Sequence, residues 1–156
     1  MNQKVLYEPI RKWLESNGFK VLVTGSKTTI VIPISDLVPM AYKIPDLVGV
    51  NKNQRVVLIE VEKDKNRFFD AFGRCLLWRC VATFVYLAYP KGKINRAPLL
   101  ERFGIGLLEV DSDSQSVKEL INLPQEGSGL IRVWELHPTD FNKELQLAEQ
   151  IKRSLE

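Results

Sequence analysis

The segment Arg55-Val56-Val57-Leu58-Ile59-Glu60-Val61-Glu62 constrains the fold more than any other stretch of the chain. Successive side chains of an extended strand point to opposite faces, so Val56 to Ile59 put aliphatic groups on both sides. Such a strand is stable only inside a sheet that is covered on both faces. The preceding segment, Ile44-Pro45-Asp46-Leu47-Val48-Gly49-Val50, is of the same kind, and Asn51-Lys52-Asn53-Gln54 between them is a turn cluster. The two segments predict a β-hairpin.

The flanking sequence supplies the cover. Residues 3–17 predict a helix with Val5, Leu6, Ile10, Trp13 and Leu14 on one side, stopped by Asn17-Gly18. Residues 19–23 read as a strand, Gly25-Ser26-Lys27 as a turn and 28–32 as a second strand. Pro33 and Pro39 make 33–42 a loop or a broken edge strand. Residues 66–82 predict a buried helix with a polar stripe of Arg67, Asp70 and Arg74. A strand at 83–89, a short helix at 97–103 and a strand at 105–110 follow, and this α-then-β order implies parallel neighbours. Residues 111–136 are ambiguous, with one more strand expected at Ile131-Arg132-Val133-Trp134. The last helix, about 140–155, is expected to present Phe141, Leu145, Ala148 and Leu155 on one face, with Thr139 or Asp140 as its cap. The fold class is therefore α/β, a mixed central sheet flanked by helices. One domain spans 1–156, with a core of about 5–110 and a C-terminal extension.

Composition narrows the function classes. With 156 residues, 45% of them hydrophobic, and a net charge of +3, one folded domain is expected rather than a disordered chain. No apolar run reaches about 18 residues, which argues against a membrane span. No signal-peptide profile is present, and the two cysteines, Cys75 and Cys80, diverge around one helix, so the expected compartment is the reducing cytoplasm. Two Cys and His137 alone make a zinc site improbable. His137 before Pro138 reads as an exposed linker residue, and Trp13 and Trp134 as core. The pI of about 8.9 permits a nucleic-acid partner without demanding one.

The acids carry the chemistry. Glu60 and Glu62 project from one face of their strand, beyond the apolar surface of Val56 and Leu58. If the hairpin loop has an odd number of residues, with 51 facing 55, Asp46 lies opposite Glu60 and joins that face. An even loop sets Asp46 opposite Ile59, on the other face. Converging carboxylates repel one another, and a hard divalent cation relieves the repulsion. All-oxygen ligands favour Mg²⁺ or Mn²⁺.

With Pro45-Asp46 followed by Glu60-Val61-Glu62-Lys63, the chain resembles the PD-(D/E)xK nuclease superfamily, which includes restriction endonucleases, archaeal Holliday-junction resolvases and RecB-type exonucleases. The order helix, hairpin, motif strand, helix, strand matches as well. So does the opening Glu8-Pro9-Ile10-Arg11-Lys12-Trp13-Leu14 through Gly18-Phe19-Lys20-Val21. Gly73-Arg74-Cys75-Leu76-Leu77-Trp78 is similar to the Gln-x-x-x-Tyr helix motif of RecB-type members, with Arg74 and Trp78 in its two positions. The resemblance implies a restriction-endonuclease-like core and metal-dependent hydrolysis of DNA, branched or damaged DNA included. Asp46, Glu60 and Glu62 would hold the ion, with Glu8 as an outer ligand, and a homodimer is expected of the family.

The chain departs from the motif at one position. Glu62 stands where the catalytic lysine belongs. Lys63 is adjacent, and Lys65, Arg67 or Arg74 could supply the charge instead. Lys65, Arg67, Arg74 and the loop cations Lys91, Lys93 and Arg96 are the candidates for phosphate contact. Each has a plainer alternative: Glu8 as a surface acid, Arg74 paired with Asp70, residues 91–96 as a solvated turn. Without the lysine, the alternative function is a catalytically inactive module of this fold that binds nucleic acid or a protein.

Overall fold

The structure, a computed structural model, describes residues 2–24, 30–33, 44–93, 97–121 and 140–156. Six strands form one sheet in chain order: β1 (Lys20–Val23), β2 (Leu47–Val50), β3 (Val56–Val61), β4 (Phe84–Pro90), β5 (Gly106–Asp111) and β6 (Ser116–Ile121). The β1–β2 and β2–β3 pairs are antiparallel, β3–β4 and β4–β5 are parallel, and β5–β6 is antiparallel. The parallel steps are crossovers through α2 (Phe68–Trp78) and α3 (Ala97–Arg102). α1 (Tyr7–Ser16) precedes the sheet, and α4 (Phe141–Leu155) closes the described chain.

The expected double cover of β3 is present. On one face Leu47, Val57, Ile59 and Val61 meet Leu6, Ile10 and Leu14, so α1 forms that layer. On the other, Val48, Val56 and Leu58 meet Phe68, Ala71, Cys75 and Trp78 of α2, Leu100 of α3, and Leu147, Ala148 and Ile151 of α4. Every residue of β2 and β3 is buried.

The hairpin has the odd loop. Val50 pairs with Val56, and the Asn51 N–H donates to the Arg55 carbonyl at 3.0 Å, leaving residues 52–54 as the loop. The Asn51 carboxamide accepts from the N–H groups of Asn53 and Arg55, and Gln54 takes the left-handed conformation at φ 63°. This is the three-residue hairpin geometry, with a positive φ at its last position.

Gly49 of β2 is flanked by β1 and β3. A Cβ there would stand 2.9 Å from Val57 Cγ1 and 3.0 Å from the Lys20 carbonyl oxygen. The carbonyl belongs to the β1–β2 ladder and cannot step aside. Gly49→Ala is therefore expected to cost about 1–3 kcal/mol, the range of overpacked interiors, measured by urea denaturation.

Several elements differ from the sequence expectation. The helix at 66–82 opens as a 3₁₀ turn at Lys65–Arg67 and its α-helical part ends at Trp78. It rests on the sheet by the stripe 68, 71, 75 and 78, so Phe69 is 65% exposed. α4 turns a different face inward: Glu144, Leu147, Ala148 and Ile151 are buried, whereas Phe141, Leu145 and Leu155 are exposed. The buried Glu144 carboxylate, held by the Thr83 and Val56 N–H groups, sets that rotation. Asp140 is the α4 cap, accepting from the N–H groups of Asn142 and Lys143. Ile30 and Ile32 are buried without forming a regular strand. β6 arises from the ambiguous stretch. The 25–27 turn, Pro39, the 131–134 strand, His137 and Thr139 lie outside the described residues. Both cysteines are free.

Candidate active site

The register that pairs Leu47 with Ile59 sets Asp46 opposite Glu60, one step beyond the end of β2. The Asp46 N–H donates to the Ile59 carbonyl at 2.9 Å. The buried Pro45 fixes the approach, and the Thr24 hydroxyl donates to the carbonyls of Pro45 and Asp46. The Asp46 carboxylate sits where the two helical layers meet. Oδ2 accepts from the Val61 N–H at 2.8 Å, and Oδ1 accepts from the Tyr7 hydroxyl of α1 at 2.8 Å. Burial and the Asp46 charge push the Tyr7 phenol up to about 12.

Glu60 lies on the α2 side and is only 6% exposed. Both residues singled out on that helix reach it. Arg74 Nε donates to Oε1 at 3.0 Å and Trp78 Nε1 donates to Oε2 at 3.1 Å. Burial is the main reason the Glu60 carboxyl is raised from its ordinary 4.5 to about 7. The Asp46 charge raises it further, and Trp78 and Arg74 act against the rise. The same burial lifts Asp46, opposed by the Val61 N–H, Tyr7 and Arg74.

Glu62 is buried just past the end of β3. Its Oε1 accepts from the Asp64 N–H at 3.1 Å, and its Oε2 lies 4.0 Å from Arg74 Nη2. Arg74 thus faces Glu60 and Glu62, and Asp70 pairs with Arg67 instead, at 3.8 Å. The plainer alternative, an Arg74–Asp70 pair, is not formed because Ala71, Cys75 and Trp78 turn Arg74 toward the sheet.

The other candidates divide. Glu8 is exposed and ion-paired with Arg11 of the same helix, away from the three acids' hydrogen-bond partners. Tyr7, its neighbour, is the α1 residue that reaches the site. Sequence reasoning missed it, although it lies three residues before the buried Ile10. Lys63, Lys65 and Arg67 are exposed just beyond β3, and Lys91 and Lys93 just beyond β4. β3 and β4 are parallel, so these cations share the carboxyl-end edge of the sheet with the acids. Lys91 lies 3.6 Å from Asp111. Arg96 lies outside the described residues.

Among the described residues no group of three or more His, Cys, Asp or Glu is arranged to hold a metal ion. The reason is local: the Val61 N–H and Tyr7 hold Asp46 toward the layer boundary, while Arg74 and Trp78 hold Glu60 against α2.

No protein-family model matches the chain, and no curated protein matches it. Solved structures do. A protein of unknown function from Silicibacter pomeroyi superposes with a TM-score of 0.55 at 15% identity, over 99% of this chain and 91% of that one. An XisH family protein from Nostoc punctiforme gives 0.51 at 17% identity, over 76% of this chain and 99% of that one. An FdxN element excision controlling factor protein from Anabaena variabilis gives 0.53 at 18% identity, with the same coverages. The likeness is one of fold.

The Asp46–Glu60 coupling has a direct check. Asp46→Asn keeps the hydrogen-bonding shape, because the amide oxygen can accept from Val61 N–H and the amide N–H can donate to a rotated Tyr7 hydroxyl. It removes the charge that raises Glu60. A ¹³C carboxyl titration should place Glu60 at about 7 in the parent protein without metal and lower in Asp46→Asn. The folded value is raised, so the Glu60 contribution to stability is present below 4.5 and is lost as pH rises through about 7. An unmoved Glu60 in Asp46→Asn would contradict the coupling.

Proposed function

We propose that this chain is a Mg²⁺- or Mn²⁺-dependent deoxyribonuclease that hydrolyses phosphodiester bonds. The observation that carries the reading is the pairing of half-buried Asp46 with buried Glu60 at the carboxyl end of β3, with a Glu60 carboxyl lifted to about 7. Strongly perturbed acids at such an edge mark functional sites in α/β proteins. The donor set fits a hard cation: the ligands are oxygens, a divalent charge offsets their repulsion, and Mg²⁺ commonly takes only one or two carboxylates beside water and phosphate. Asp46 and Glu60 would hold it, with Glu62 beside them. A bound ion would supply charge stabilisation at phosphorus and a more acidic water.

The chain's own residues do the rest. Arg74, fixed between Glu60 and Glu62, places a permanent cation where the motif lysine is missing. The exposed cations after β3 and β4 meet the phosphate backbone. Hydrolysis joins a water oxygen to phosphorus and breaks the bond to the leaving oxygen. The water's proton passes to a carboxylate, and solvent protonates the leaving oxygen. The name of one structural neighbour, an excision controlling factor, fits a DNA partner, and at 18% identity it adds only that fit. Among the described residues no helix is long and apolar enough to cross a membrane. We place the protein in the reducing cytoplasm on its two free cysteines.

One observation favours the second reading, a nucleic-acid-binding module without chemistry. Both oxygens of Glu60 already have protein donors. Incubation of supercoiled and branched DNA with the protein, in Mn²⁺ or in EDTA, separates the two. Cleavage in Mn²⁺, lost in EDTA and in Asp46→Asn, is expected. Mn²⁺ should also raise the melting temperature, by an amount equivalent to about 2.7 kcal/mol at 100 times the dissociation constant, and Asp46→Asn should lose that rise. DNA binding without cleavage would establish the second reading.

A further inference from the structure

Tyr89 of β4 stands beside the acids with no part in the reading above. Parallel pairing sets Val61 against Ala88, and the Glu62 N–H donates to the Ala88 carbonyl at 2.9 Å. One residue further on, Tyr89 lies alongside Glu62, and its side chain belongs to the α2-side core. Tyr89 is 0% exposed, yet its hydroxyl has no hydrogen-bond partner among the described residues. A buried hydroxyl left unpaired costs about 1–3 kcal/mol. Interiors satisfy such groups with an ordered water or a ligand oxygen.

The surroundings select the occupant. Burial, Glu62 and Asp64 hold the Tyr89 phenol above its ordinary range, with Arg74 acting the other way. Parallel pairing puts the Tyr89 side chain on the same face of the sheet as Glu62. An anion there is repelled by Glu62 and Asp64, and an apolar group leaves the O–H unpaired. A water satisfies both sides: its oxygen accepts from Tyr89 and its protons turn toward carboxylate. One Glu62 oxygen is available for it, since Oε1 takes the Asp64 N–H whereas Oε2 has only the 4.0 Å approach of Arg74.

We propose that Tyr89 is a positioning residue whose hydroxyl donates to a water shared with Glu62, fixing where solvent stands beside the acids. The water site stands on the geometry alone. Its catalytic consequence rests on the nuclease reading, and the test separates the two. Tyr89→Phe keeps the ring and removes the donor. In metal-free protein, water–protein cross-relaxation NMR should show a long-lived water at the Tyr89 hydroxyl, and the signal should vanish in Tyr89→Phe. In Mn²⁺, kcat for DNA cleavage should fall about tenfold with KM unchanged, the scale of one hydrogen bond. A fall in melting temperature alone does not count in favour. If the parent protein shows the water but cleaves nothing, the water site stands and the nuclease reading fails. If it cleaves, with no water at Tyr89 or with a kcat that Tyr89→Phe leaves intact, the positioning role is overturned and the nuclease reading survives.

Discussion

Glu144→Ala is expected to lower stability by about 3–5 kcal/mol, the range for removing one side of a buried charged network. Glu144 has no exposed surface. It accepts from the Thr83 N–H at 2.6 Å, the Thr83 hydroxyl at 2.9 Å, the Val56 N–H at 3.1 Å and Arg55 Nη1 at 3.3 Å. Alanine leaves two buried backbone donors and a hydroxyl without an acceptor. Glutamine keeps one acceptor oxygen but aims an N–H₂ at the other donors, so an intermediate loss is expected. Urea denaturation with an unchanged m-value checks both substitutions. A loss below about 1 kcal/mol for alanine would show that water replaces the carboxylate.

Glu62→Ala is expected to weaken metal binding and to cut DNA cleavage by about 10²-fold or more, the scale of losing one electrostatic stabiliser. Lys63→Ala should be milder. The contrast follows from placement: Glu62 is buried and faces Arg74, whereas Lys63 is exposed. Cleavage rates in Mn²⁺ together with Mn²⁺ titration of each variant decide the matter. An inactive Lys63→Ala beside a near-normal Glu62→Ala would mean that Lys63, rather than Arg74, supplies the missing motif charge.

The hairpin and its acids were the most legible part of the sequence. Period-two patterning reduced the place of Asp46 to two choices, opposite Glu60 or opposite Ile59, because register is discrete, and the odd turn selects the first. Arg74 and Trp78 were picked out by the resemblance to the Gln-x-x-x-Tyr motif, whose four-residue spacing puts both on one helix face. What the sequence hid were choices that depend on tertiary partners. Apolar residues 141, 145 and 155 of α4 suggested one face, but Glu144 is drawn inward by donors on β3 and before β4, and it rotates the helix. β6 was obscured because Glu119, on its inner side, bonds to the Tyr86 hydroxyl at 3.2 Å and breaks the apolar alternation of Ser116–Ile121. Glu8 was the acid suggested by the resemblance, and Arg11 claims it through a neighbouring turn of the same helix.

The position of Glu144 also bears on the order in which the chain acquires its structure. Its partners Thr83 and Val56 lie 61 and 88 residues earlier. Closing loops of that length is entropically costly and slow, although the cost grows only logarithmically with length. Until α4 arrives, the first ladder residue of β3 and the residue leading into β4 carry bare N–H groups inside an apolar layer. The central strands can pair before that moment but cannot be dried. Docking of the last helix is then the step that expels water from the sheet, and a pulse of deuterium given during refolding should find Val56 and Thr83 protected together and late.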